Sequence, residues 1–211
     1  GVSRSRSDCL TEIDGLLQQL IDQQHIVGLA CAVQQGDQVL HKGCYGYANL
    51  EHGVAVSENT VFEIASVTKL FTAQAVLKLV QDGRIGLDDA VAAYVQNLPD
   101  AWRAVTVRHC LAHQSGIVDY TSVERYWQIT HWAKSTDEVL DLVRDLPLKF
   151  TPGSMHSYDN TGFYLLGLLI EAVTGRPYGD HLRETIFAPL GMAHTRANDY
   201  ARVVPHRAQG Y

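Results

Sequence analysis

Ser66 and Lys69 stand three residues apart in Phe62-Glu63-Ile64-Ala65-Ser66-Val67-Thr68-Lys69-Leu70-Phe71, at the start of an apolar helical pattern. Three residues of α-helix turn through roughly 300° and rise about 4.5 Å, so both side chains lie on one face. A serine hydroxyl is a weak nucleophile until a base takes its proton. A lysine shielded from water gives up its charge more readily and can be that base. Ser-x-x-Lys is thus a compact acyl-transfer pair, although alone it also fits an ordinary helix start with a solvated lysine. Tyr158-Asp159-Asn160 forms a second polar group at the entry to another apolar helix. A phenol and an amide there suit a polar site; packing of Tyr158 and N-capping by Asn160 would suit the same residues.

The elements that must carry these groups are legible from periodicity. Apolar residues at 10, 13, 16, 17, 20 and 21 make Cys9 to Gln24 a helix with Leu10, Ile13, Leu17 and Leu20 facing inward. Gly28 to Gln34 and Val39 to Tyr45 read as a hairpin around Gln35-Gly36-Asp37-Gln38. Gly43 to Thr60, rich in Gly, Asn and Ser, reads as loop. The nucleophile helix runs from Ser66 to Val80 and stops at Asp82-Gly83. Gly86 to Asp89 opens a short helix, and Thr106 N-caps another to about His113. Ser135-x-x-Glu138 is a capping box for a helix to Leu146. Thr161 to Thr174 is strongly apolar and stops at Gly175; Pro177 starts one more helix.

Composition narrows the function. The 211 residues are 46% hydrophobic and 19% charged, a globular balance, with a net charge of −6. Arg4 and Arg6 are too sparse for a nucleic-acid surface. No apolar run reaches the ~18 residues that span a bilayer. Cys9, Cys31, Cys44 and Cys110 form no C-x-x-C pair and are too few for a disulfide scaffold; a Cys31–Cys44 bridge across the hairpin stays open. His109 and His113 have metal-ligand spacing, but the absence of a Glu after His109 and of a third ligand favours structural histidines, with His113 anchoring a turn through Ser115. Trp102, Trp127 and Trp132 with Tyr120 and Tyr126 suit either a cleft lining or helix packing.

Taken in order, the two motifs and their neighbours resemble the serine β-lactamase and penicillin-binding-protein superfamily. The nearest branch holds class C β-lactamases, D-alanyl-D-alanine carboxypeptidases and related esterases. The resemblance rests on Gly46-Tyr47-Ala48-Asn49, Thr60-Val61-Phe62, Asp82 to Asp89, Cys110-Leu111-Ala112-His113-Gln114-Ser115-Gly116, Ser157 to Gly167 and Pro189-Leu190-Gly191-Met192, beside the motifs themselves. Tyr-x-Asn in place of Ser-Asp-Asn points away from class A enzymes. The resemblance implies an α/β (α+β) fold of β-lactamase/transpeptidase type, with a mostly helical region at 61–195 beside the helix and hairpin of 8–45, all in one partial domain over 1–211. It implies Ser66 as nucleophile, Lys69 and Tyr158 as proton carriers, and Asn160 as a ligand of Lys69 and of the substrate amide. It implies no cofactor and no metal. The implied substrate is a small molecule or a peptidoglycan peptide, and the implied location is the bacterial periplasm or beyond the cell.

One part of the pattern is missing. The family's Lys/His-Thr/Ser-Gly strand is matched neither by Lys134-Ser135-Thr136 nor by His52-Gly53. The chain is therefore expected to be a fragment whose sheet lacks its C-terminal strands and whose oxyanion hole lacks its second donor, a loss of about 10²–10³ in rate. The other reading is a non-catalytic relative that binds peptidoglycan or a peptide partner.

Overall fold

The computed structural model describes residues 6–129, 135–199 and 201–211. They divide into two compact units, one of residues 1–64 with 198–211 and one of residues 65–197.

In the first unit, helix α1 (Arg6–Gln24) precedes the antiparallel pair β1 (Gly28–Gln35) and β2 (Gln38–Asn49). Gly36, at φ 58°, makes the left-handed turn between them. A third short strand, β3 (Val54–Ala55), pairs with the far end of β2, giving the sheet order β1-β2-β3. The Gly43–Thr60 stretch therefore corrects the sequence reading. Cross-strand pairing extends β2 to Asn49, despite glycines that weaken the local strand signal. Helix α1 also departs from expectation: Ile21 is buried, while Leu20 is 36% exposed. The C-terminal stretch belongs to this unit. Ala208 N–H donates to Val61 O at 2.9 Å and Gln209 N–H to Ala48 O at 2.8 Å.

The second unit is helical, with its core between α2 (Thr68–Gln81) and α6 (Asn160–Thr174). Val76 and Leu79 of α2, and Leu165, Leu166, Leu169 and Ile170 of α6, are all buried. Each buried aliphatic side chain contributes roughly 1.5–3 kcal/mol, which holds the two helices together where the sequence period aligned them. Around them lie α3 (Val107–Leu111), α4 (Glu124–Ile129), α5 (Thr136–Leu140) and α7 (Tyr178–Leu182). Helix α7 continues into a π turn at Arg183–Phe187. Thr106 caps α3 and the Ser135–Glu138 capping box forms, both as expected; the structure adds that His109 completes a capping box with Thr106. Their helices are shorter than periodicity predicts, and Gly86 to Asp89 is a turn, closed by the Asp89 carboxylate on Gly86 N–H at 2.6 Å. Gly175, at φ 69°, ends α6 in the left-handed conformation.

Candidate active site

Ser66 sits in a 3₁₀ turn (Ala65–Val67) that leads directly into α2. The preceding Ala65 has φ 43°, a left-handed geometry that costs a non-glycine residue about 1 kcal/mol. Such strain persists only where the surroundings impose it, and it is enriched at functional sites. The turn leaves Ser66 exposed, whereas Lys69, one turn on, is half-buried.

Helix α6 delivers the second pair. Its N-cap is Asp159, not Asn160: the Asp159 carboxylate accepts from Gly162 N–H. A side chain at Gly162 would crowd that carboxylate, with a Cβ 2.9 Å from Oδ1. Because Asp159 takes the capping role, Asn160 is free to point its amide at Lys69. The Asp159 carboxylate is only 1% exposed and also accepts from Ser115 Oγ at 3.0 Å. Burial raises its pKa against these hydrogen bonds.

These elements bring all four sequence-predicted residues together. Tyr158 Oη donates to Ser66 Oγ at 2.7 Å, and Lys69 Nζ donates to the same oxygen at 3.2 Å. Lys69 Nζ also donates to Asn160 Oδ1 at 2.6 Å and lies 4.8 Å from the centre of the Tyr158 ring. Burial pushes the Tyr158 phenol up, but hydrogen bonds from Lys69 and with Ser66, together with the Lys69 charge, outweigh it and set its pKa below the ordinary tyrosine value. The serine oxygen thus faces two groups able to exchange its proton.

One further position escaped the sequence reading. Asp119 accepts from Asn160 Nδ2, at 3.0 Å to Oδ2, and its side chain caps the 3₁₀ turn at Tyr120–Ser122. Its only local signal is an Asp two residues before a Thr, which marks a turn but not a site. His113 does not act through Ser115. Its Nδ1 accepts from Asp159 N–H at 3.3 Å, its carbonyl accepts from Ser157 N–H at 2.9 Å, and its ring lies 4.4 Å from that of Tyr158. Burial lowers its pKa. His109 Nδ1 accepts from Thr106 N–H at 3.2 Å, so both histidines hold backbone. No cluster of metal-ligating side chains occurs among the described residues.

The aromatic candidates separate. Trp102 is a core residue at 1% exposure, and Trp127 is exposed with its Nε1 bonded to Thr121 O. Trp132 lies outside the described residues. Tyr120 packs at a tilt against Tyr126 and, with Phe163, Tyr164 and Tyr178, walls a cavity of about 440 Å³ that reaches Lys69 and Asn160. Cys31, Cys44 and Cys110 are free thiols. No helix among the described residues is long and apolar enough to cross a membrane.

Comparison with known proteins agrees with this fold. Residues 13–211 match the sequence profile of the family described as Beta-lactamase. Penicillin-binding protein 4* of Bacillus subtilis (strain 168) is 31% identical over 202 residues, covering 93% of this chain and 43% of its own length. The octameric penicillin-binding protein homologue from Pyrococcus abyssi superimposes with a TM-score of 0.82 at 29% identity, over 95% of this chain and 47% of that one. The D-amino acid amidase from Ochrobactrum anthropi SV3 has a TM-score of 0.78 at 32% identity, over 95% of this chain and 57% of that one. The chain spans about two fifths of the length of the curated relatives it matches.

Proposed function

The chain belongs to the Beta-lactamase family, and from that premise we propose that it is a serine hydrolase working through an acyl-enzyme on Ser66, with Lys69 and Tyr158 as its proton carriers. The observation that carries this reading is the placement of Ser66 Oγ between Tyr158 Oη at 2.7 Å and Lys69 Nζ at 3.2 Å. A serine oxygen contacted by two exchangeable groups of different acidity is arranged for deprotonation as it attacks.

The steps follow from those contacts. Ser66 Oγ bonds to the carbonyl carbon of an amide, β-lactam or ester while its proton passes to the Tyr158 phenolate or the Lys69 amine. The carbonyl π pair moves to oxygen, where the Ser66 backbone N–H is a donor to the oxyanion. Collapse of the tetrahedral intermediate breaks the C–N or C–O bond, and the carried proton goes to the leaving group. Water then attacks the ester on Ser66, releases the acid and returns the proton to Ser66 Oγ. Asn160 keeps Lys69 in place and offers its amide to the substrate. The similarity to a D-amino acid amidase and to penicillin-binding proteins supports amide-bearing substrates, peptidoglycan peptides among them. The same similarity supports a site of action in the bacterial periplasm or outside the cell.

Incubation with a labelled penicillin or a fluorophosphonate, followed by mass spectrometry, tests the reading. One covalent adduct is expected, mapped to Ser66 and absent from Ser66→Ala. Labelling elsewhere, or none, would overturn it and favour a non-catalytic relative that binds peptidoglycan or a peptide.

A further inference from the structure

We propose that Asp119 is a positioning residue that keeps the Asn160 amide oxygen turned toward Lys69 throughout the proton cycle. The proposal rests on the acyl-enzyme reading of Ser66.

Asn160 bridges two groups of opposite hydrogen-bonding character. Its Oδ1 accepts from Lys69 Nζ at 2.6 Å, and its Nδ2 faces Asp119 Oδ2 at 3.0 Å and Oδ1 at 3.3 Å. An ammonium only donates and a carboxylate only accepts, so an amide between them has one satisfied orientation. While Lys69 is charged, either neighbour alone enforces it. Once Lys69 is neutral, its nitrogen carries a lone pair and would accept from Nδ2 as readily as it donates to Oδ1. Asp119 then becomes the group that prevents the flip.

The carboxylate is itself held in place. Asp119 Oδ1 accepts from both the N–H and the hydroxyl of Thr121, each at 2.9 Å, so it cannot swing away without uncapping the 3₁₀ turn. Thr121 Oγ1 adds a 3.3 Å contact to Asn160 Nδ2. The chain from Ser66 through Lys69 and Asn160 to Asp119 thus ends on a fixed negative charge. That charge also acts on Tyr158, raising the phenol's pKa against the effects of Lys69 and Ser66. The groups bearing on Tyr158 are accordingly Lys69 from α2, Ser66 from the turn before it, Asp119 and Tyr120 from their loop and the adjacent, tilted His113 ring.

Asp119→Asn separates these effects from folding, since an asparagine oxygen still caps the turn. The rate of fluorophosphonate labelling of the full chain, followed by intact mass between about pH 6 and about pH 10, spans the range up to the ordinary tyrosine value. The expected result is a fall of about tenfold on the plateau, the loss of one charge-assisted hydrogen bond. The rising limb should also move to lower pH, because the charge that raised the phenol is gone. An unchanged rate, or a lower rate with the limb in place, would overturn the proposal, the latter showing a merely structural role. Should Asp119→Asn fail to fold, Asp119→Glu keeps the charge but displaces it; a lower rate with an unmoved limb supports the proposal and an unchanged rate overturns it. If the unsubstituted chain takes no label, the acyl-enzyme reading fails by itself. The side-chain ¹⁵N–¹H pair of Asn160 then decides Asp119: a shifted, faster-exchanging pair in Asp119→Asn supports it, and an unmoved pair overturns it.

Discussion

On the proposed acyl-enzyme reading, Tyr158 is the residue on which the pH response of the site turns. It is 46% exposed, so substrate and solvent protons reach it, yet the neighbouring Lys69 ammonium favours its phenolate. A phenolate accepts the Ser66 proton and a phenol does not. Labelling of Ser66 should therefore rise with pH through a midpoint below the ordinary tyrosine value of about 10. Tyr158→Phe should remove that limb and slow labelling by roughly 10²–10⁴, the usual contribution of a positioned acid–base group, as stopped-time mass spectrometry would measure. A Phe variant with the same limb would transfer the titration to another group. At this scale Ser66 and Lys69 were readable directly, because three-residue spacing on a helix is a local property. Asp119 was not. Its partner Asn160 lies 41 residues away, and nothing in the Asp119-Tyr120-Thr121 stretch marks it as more than a turn.

At the scale of elements, the segment entering α6 positions both Tyr158 and Asn160, and the loop after α3 holds it. His113 adopts φ 56° and binds that segment through its ring and its carbonyl. Its ring accepts a backbone N–H at Nδ1, which only the neutral imidazole can do, in line with the pKa lowered by burial. The sign follows from linkage. With the folded value depressed, the unfolded chain binds the proton first as pH falls, so His113 contributes stability above the unfolded value near 6.5 that is lost as pH falls through the folded value. His113→Asn keeps the left-handed backbone that asparagine tolerates and removes the titration. It should lower the urea midpoint at about pH 7 and shrink the difference between that midpoint and the one at about pH 5. An undiminished difference would assign the acid sensitivity to other groups. The helix cap shows where sequence reading slips by one residue. Asp159 and Asn160 both favour N-caps, and the choice between them was made by Ser115 and Gly162, which accommodate the carboxylate.

At the scale of the whole molecule, apolar periodicity and pairing divide the labour. Helices α2 and α6 bury Val76, Leu79, Leu165, Leu166 and Leu169 completely or nearly so, while β3 has two exposed residues. Backbone amides of the two helices should exchange slowest with deuterated solvent and those of β3 fastest, read by native-state hydrogen exchange. Equal protection would mean that β3 opens only with the core. The sequence by itself determined the helices that bury aliphatic stripes, the hairpin, and the chemical identity of Ser66, Lys69, Tyr158 and Asn160. Each is encoded within a few residues, as a period or a side-chain type. Only the tertiary structure decided that Tyr158 reaches Ser66 across 92 residues, that Asp159 caps α6, and that Asp119 stands behind Asn160. Those outcomes depend on how α6 docks on α2 and α3 and on where a capped turn places a carboxylate. Packing sets such distances, and no local pattern records them.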